Sequence, residues 1–193
     1  MSMPSLKDKN KTIFYFGFGS NKDLAMMQHM IGKKKIKGIR GVLIGYEICI
    51  QRADQFRTDI PPTTPYPASP KDLILETWGP KFEMYVSRPN PTGLAYGMIW
   101  ELTPEDLELV REWELVDYGA QEDAWGIALD SKGKMYEVIT QSFMKPPIDI
   151  DRVVKGKKYP AYIASKKAML KRADELREQY LKQNKYKKPV KFD

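Results

Sequence analysis

Residues 12–21 read TIFYFGFGSN. The unbroken β-branched and aromatic run over residues 12–16 describes a strand with apolar residues on both faces, and the Gly-Phe-Gly that ends it describes a tight turn. Glycines at a strand end permit close approach and expose backbone N–H groups able to hold a carboxylate or an oxyanion. Two nucleotide readings of this turn fail: the third glycine of a dinucleotide fingerprint would fall on Lys22, and no GKS or GKT follows. Ser20 also lacks the G-x-S-x-G elbow of a nucleophilic serine.

Outward from this turn, residues 22–30 (KDLAMMQHM) predict a short helix with Leu24, Met27 and Ile31 on one stripe and Asn21 or Ser20 as its N-cap. Residues 41–51 (GVLIGYEICIQ) predict a second strand, with Ile44, Tyr46, Ile48 and Ile50 alternating against Leu43, Gly45, Glu47 and Cys49. The pattern then breaks over about residues 52–92. PPTTPYPASP reads as extended chain in a long irregular insertion of functional character, with a short strand at residues 82–86.

Residues 93–102 (GLAYGMIWEL) predict a strand, and TPED predicts a helix start, with Thr103 as N-cap, Pro104 at the first helical position and Asp106 closing a capping box. Later come a hairpin, WGIAL and MYEVITQSF around DSKGK, and a terminal helix over about residues 161–182 with Met169, Ala173, Leu176 and Tyr180 on one face. On the helix after TPED, the spacing of Leu107, Val110 and Glu114 places a carboxylate on the apolar stripe. At a helix C-terminus such a group is raised in pKa by burial and by the macrodipole, as a general base near neutral pH requires. The alternative from spacing alone is a Glu114 beyond the helix end, exposed or neutralised by Arg111 or another arginine.

The chain has 193 residues, one Cys and one His, and a formal charge of +7. This composition excludes a disulfide scaffold, a two-histidine metal site and a mixed Cys/His zinc centre, and it favours a reducing, cytoplasmic compartment. Cys49 reads as core and His29 as helix surface rather than as a catalytic dyad. No apolar run is long enough to span a membrane, and residues 1–11 read as a flexible polar N-terminus. From Arg152 onward 14 Lys or Arg stand against Asp174, Glu175, Glu178 and Asp193, so the basicity is local, ending in a tail over residues 185–193.

Tyr15, Gly19, Ser20 and Asn21 within YFGFGSN, followed later by Leu107, Val110, Trp113 and Glu114, resemble in order the two motifs of the gamma-glutamylcyclotransferase-like family. GVLIGY at residues 41–46 and the strand over residues 93–102 are similar to its intervening strands. The resemblance implies one α+β domain over residues 12–184, a small mixed β-barrel flanked by helices, with a C-terminal helix. It also implies a cofactor-free cyclotransferase that releases 5-oxoproline from a small γ-glutamyl substrate. In it, Glu114 would be the acid/base, and Tyr15, Phe16, Gly17, Phe18, Gly19, Ser20 and Asn21 would form the glutamyl-binding loop, with no metal. Three positions depart from the pattern: Phe18 and Phe143 stand where Tyr occurs in members, and Leu115 where Gly is usual. Two other readings stay open, a ligand-binding member without turnover and a protein that binds nucleic acid or an acidic partner through its basic C-terminal segment.

Overall fold

The computed structural model describes residues 12–60, 64, 67–143, 150 and 152–184; the expected N-terminal segment 1–11 and basic tail 185–193 lie outside the described residues. Five strands, β1 (Ile13–Gly17), β2 (Gly38–Arg52), β3 (Glu83–Leu102), β4 (Gln121–Asp130) and β5 (Met135–Phe143), close a barrel in the order β1-β3-β2-β4-β5. All pairings are antiparallel except β1 with β5, which meet in parallel through Tyr15 and Ile139. Around the barrel lie α1 (Leu24–Ile31), α2 (Pro70–Trp78), α3 (Pro104–Trp113) and α4 (Lys166–Asn184). The architecture is the expected single α+β domain. No helix among the described residues is long and apolar enough to cross a membrane.

The continuous apolar run of β1 is explained by two separate burials. Phe16 fills the barrel interior with Leu43, Ile99 and Val138, whereas Ile13 and Tyr15 face the helices, among Met27, Leu107, Val110 and Met169. The helix over residues 104–113 begins as its sequence predicts: the Thr103 side chain accepts from the Asp106 N–H, and the Asp106 carboxylate accepts from the Thr103 N–H. The β4–β5 hairpin also forms as predicted. On α4, which starts at Lys166 rather than near residue 161, Met169 and Ala173 are buried.

Several expectations need correction. Much of residues 52–92 is regular. Ser69-Pro70-Lys71-Asp72 starts α2 with a complete capping box and proline at its first position, where the missing N–H costs no helical bond. The short strand expected at residues 82–86 and the strand expected at residues 93–102 are one, β3 from Glu83, and the prolines within it lie at a break in the ladder: Tyr46 pairs with Pro89 but Ile44 pairs with Leu94. The extra residues are on β3 itself, where residues 90–93 lie opposite Gly45 alone, and Gly45 stands at φ +79° on the facing strand. The bulge also breaks the expected alternation, so Leu43 and Ile48 share the core while Ile44 is exposed. In α1 the N-cap is Asp23, which accepts from the Met26 N–H, because Gly19–Lys22 is already a 3-10 turn; Leu24 is exposed and Met26 takes its place in the core.

Candidate active site

Glu114 is the residue that closes α3, and its N–H still bonds to the Val110 carbonyl, with Leu107 and Val110 fully buried beneath it. Its carboxylate turns toward the glycine turn. One oxygen, Oε1, accepts from Asn21 Nδ2 at 2.6 Å, and Oε2 accepts from Gln121 Nε2. Asn21 Nδ2 also donates to the Tyr15 hydroxyl at 2.7 Å, and the Asn21 carbonyl accepts from Trp100 Nε1 at 2.8 Å. Burial pushes the Glu114 carboxyl up to about 7, against the pull of the two amide donors, which favour the anion. Burial, followed by the Glu114 charge, holds the Tyr15 phenol well above its ordinary value.

Arg111, the cation adjacent in sequence, is engaged elsewhere, by Asp117, Asp123 and Glu108. The alternative of an arginine-neutralised Glu114 is thereby set aside for Arg111.

The glycines of the turn are required by space. A Cβ on Gly17 would lie 2.4 Å from the Asn21 carbonyl oxygen, and Gly19 stands at φ +55°, where a Cβ would meet the Tyr85 ring at 2.8 Å. The Gly19 N–H donates to the Tyr159 hydroxyl at 3.3 Å, and that hydroxyl donates to the Tyr96 carbonyl at 2.7 Å. Lys22, the residue that spoils the dinucleotide fingerprint, clamps Tyr159: its ammonium bonds the Tyr159 carbonyl at 2.5 Å and lies 3.3 Å from the ring centre.

Of the expected loop residues, Phe18, Gly19 and Ser20 border a cleft together with Glu114. Tyr15 and Asn21 sit behind it as the hydrogen-bonded support of Glu114, and Gly17 lies against Asn21. Phe16 is wholly inside the barrel. Phe143 packs with Cys49, Val86 and Ile150 and does not itself line the cleft, which Met84, packed on that cluster, does. Cys49 is buried core as expected; His29 bonds Asp174 across the α1–α4 contact, and the two do not meet. Of the basic residues, Lys33 pairs with Asp106 and Lys166 with Asp23.

The far wall of the cleft comes from α2, the segment entering β3, the end of α3 and α4. Trp78 stacks on Phe82 with centroids 5.1 Å apart, and Trp113 meets Trp78 edge-on at 6.3 Å. Ile74, Trp78 and Phe82 of this wall fall in the 52–92 stretch that the sequence marks as functional in character, though not as a helix; sequence reasoning missed Gln121, whose approach depends on the turn between α3 and β4. Leu115 makes that turn at φ +53°, the left-handed region, and is the one non-glycine residue there among those described. The resemblance to a position where Gly is usual carried that signal. The Leu115 side chain packs on the cluster of Phe56, Ile74 and Phe82, which holds the strained backbone in place.

No protein-family model matches the chain, and no curated protein matches it. Among solved structures it is similar to a human protein described as uncharacterized, with TM-score 0.54 and 14% identity over 95% of this chain and 92% of that one. It is also similar to a structure named gamma-glutamyl cyclotransferase, with TM-score 0.53 and 12% identity over 94% of this chain and 91% of that one. At such identities the likeness is one of architecture, and the architecture of this chain is the gamma-glutamyl cyclotransferase fold.

Proposed function

We propose that the protein is a γ-glutamyl cyclotransferase that converts a γ-glutamyl amine or peptide to 5-oxoproline and the free amine, without a cofactor. The observation that carries this reading is Glu114, a carboxyl near pKa 7 at the edge of the cleft, anchored by Asn21 of the glycine turn and by Gln121. A general acid/base at neutral pH needs that value.

In the reaction, the α-amine of the substrate attacks its own γ-carbonyl carbon. A five-membered lactam closes, the bond to the leaving nitrogen breaks, and one proton passes from the attacking amine to the departing one. Glu114 takes the proton and returns it, so no water or further reactant is consumed. The nucleophile belongs to the substrate, and holding it in attack geometry replaces a collision with an intramolecular step. The charge that develops on the carbonyl oxygen would meet the Ser20 N–H, which lies in the first turn of the 3-10 segment and has no intrahelical acceptor.

The test is 5-oxoproline release from γ-glutamyl amino acids, glutathione and γ-glutamyl amines, with wild type beside Glu114→Gln. Release by wild type with a loss of about 10²–10⁴-fold in the variant is the expected outcome. Comparable release by both would remove Glu114 from the role, and no release by a folded wild type would leave a binding protein.

A further inference from the structure

Arg172 stands in the wrong company for a surface arginine. It lies on the α4 stripe that carries Met169, Ala173 and Leu176, and with Met169 and Leu176 it lines the cleft. Its Nε is buried without a hydrogen-bond partner among the described residues. Its salt bridge to Glu175 is long, 3.4 Å from a terminal nitrogen, and Lys171 shares that carboxylate at 3.6 Å. Among the described residues the two carboxylates that line the cleft are engaged elsewhere, Glu114 by Asn21 and Gln121 and Glu83 by Arg152. A buried guanidinium N–H without an acceptor is unfavourable, and a planar fork is best satisfied by a carboxylate.

The space around it is apolar and aromatic, with Trp78, Phe82 and Trp113 stacked or edge-on and Ile74 beside them. We propose that Arg172 binds the carboxylate of the leaving amine and that the aromatic wall receives its side chain, so that the preferred substrates are γ-glutamyl derivatives of large apolar α-amino acids. This rests on the cyclotransferase reading for the orientation of the substrate, with its glutamyl end at Glu114 and its leaving group toward α2 and α4. Arg172 is on this reading a specificity residue; it takes no part in the proton transfer.

Two ligands that differ by one carboxylate test it: γ-glutamyl-phenylalanine and γ-glutamyl-phenethylamine. Their binding is measured by calorimetry on wild type, Arg172→Gln and Arg172→Lys, with circular dichroism to confirm folding, and 5-oxoproline release is followed separately. Wild type should bind the phenylalanine derivative about tenfold or more tightly than the amine, the size of one charge-assisted contact. In Arg172→Gln the ratio should collapse toward one, and in Arg172→Lys it should be intermediate, because an ammonium keeps the charge and loses the fork. γ-Glutamyl-glycine, with the carboxylate and no side chain, should bind wild type more weakly than the phenylalanine derivative.

Equal affinity of wild type for the two ligands overturns the proposal, as does a ratio that survives Arg172→Gln. An equal loss for both ligands in the variant also overturns it, since Arg172 would then hold the glutamyl carboxylate that they share. The reaction fails independently: selective binding by wild type without 5-oxoproline release keeps the role of Arg172 and removes the cyclisation, whereas release without selectivity does the reverse.

Discussion

The two sides of the cleft are held by different physics. On one, Tyr15, Asn21, Gln121 and Trp100 form a hydrogen-bonded floor that fixes both oxygens of Glu114. On the other, Trp78, Phe82, Trp113 and Leu115 meet by ring and apolar packing. A floor of directed bonds sets where one proton sits and what it costs to move it; a wall of rings selects by shape and apolar area. For the proposed cyclotransferase, chemistry and choice of leaving group are then separable, and substitutions on either side should show it.

The largest separation is kinetic. Glu114→Gln should lower kcat by about 10²–10⁴-fold with little change in KM, since it removes proton transfer and keeps the shape of the side chain. The free-enzyme base must be ionised, so kcat/KM should fall as pH drops below about 7. Asn21→Ala removes a donor that lowers the Glu114 pKa, so this limb should move to higher pH. Trp78→Ala should instead raise KM and leave the limb near 7. A limb that moves with Trp78 and stays put with Asn21 would show that the floor does not set the proton affinity.

The same carboxyl should appear in stability. The folded protein holds the Glu114 proton up to about pH 7, whereas the unfolded chain releases it near the ordinary 4.5. Between those values the folded state binds more protons, so stability falls as pH rises, and above 7 the loss is complete. A full shift of that size corresponds to at most about 3 kcal/mol, at 1.36 kcal/mol per pKa unit. Glu114→Gln should thus be more stable than wild type at pH 8, with the difference gone near pH 4.5, as read by urea unfolding at both values. Gln121 helps the variant: its Oε1 lacks a partner among the described residues, and an amide flip would present it to the new side-chain N–H₂. Equal stability at pH 8 would argue that Glu114 is hydrated in the folded protein.

How much of this is legible in the sequence depends on the range of the interactions. The glycine turn, the α3 cap, the β4–β5 hairpin and the Leu107–Val110–Glu114 stripe are written in residues near one another, and each can be read there. Gln121 reaches Glu114, Tyr159 reaches the glycine turn and Arg172 reaches the cleft through tertiary folding, and no local period announces them. The long β2–β3 pairing is obscured by a different cause. Gly45 inverts the strand's faces midway, and the facing prolines, which usually end a strand, sit instead at a register break inside one. The wall is hidden by composition. Pro61, Pro62, Pro65 and Pro67 discourage a helix where they stand, but they carry no information about the capping box that begins at Ser69.

Two nearly identical signals are at work in the two helices. Ser69-Pro70-Lys71-Asp72 and Thr103-Pro104-Glu105-Asp106 are the same capping box with proline in the same place, one after a proline-rich stretch and one after a strand. They start α2, which builds the wall, and α3, which ends on Glu114. Because each cap accepts one backbone N–H at its own helix start, at 3.1 Å for Ser69 and 3.2 Å for Thr103, Ser69→Ala and Thr103→Ala should each cost about 1 kcal/mol. Their kinetic consequences should differ. Loosening α2 displaces Ile74 and Trp78, so Ser69→Ala should raise KM for γ-glutamyl amino acids with large apolar side chains more than for γ-glutamyl-glycine. Loosening α3 disturbs the far end of the helix that carries Glu114, so Thr103→Ala should lower kcat for both substrates alike. If the two variants instead gave the same kinetic profile at matched loss of stability, the floor and the wall would be one cooperative unit, and the division between chemistry and selection would fail.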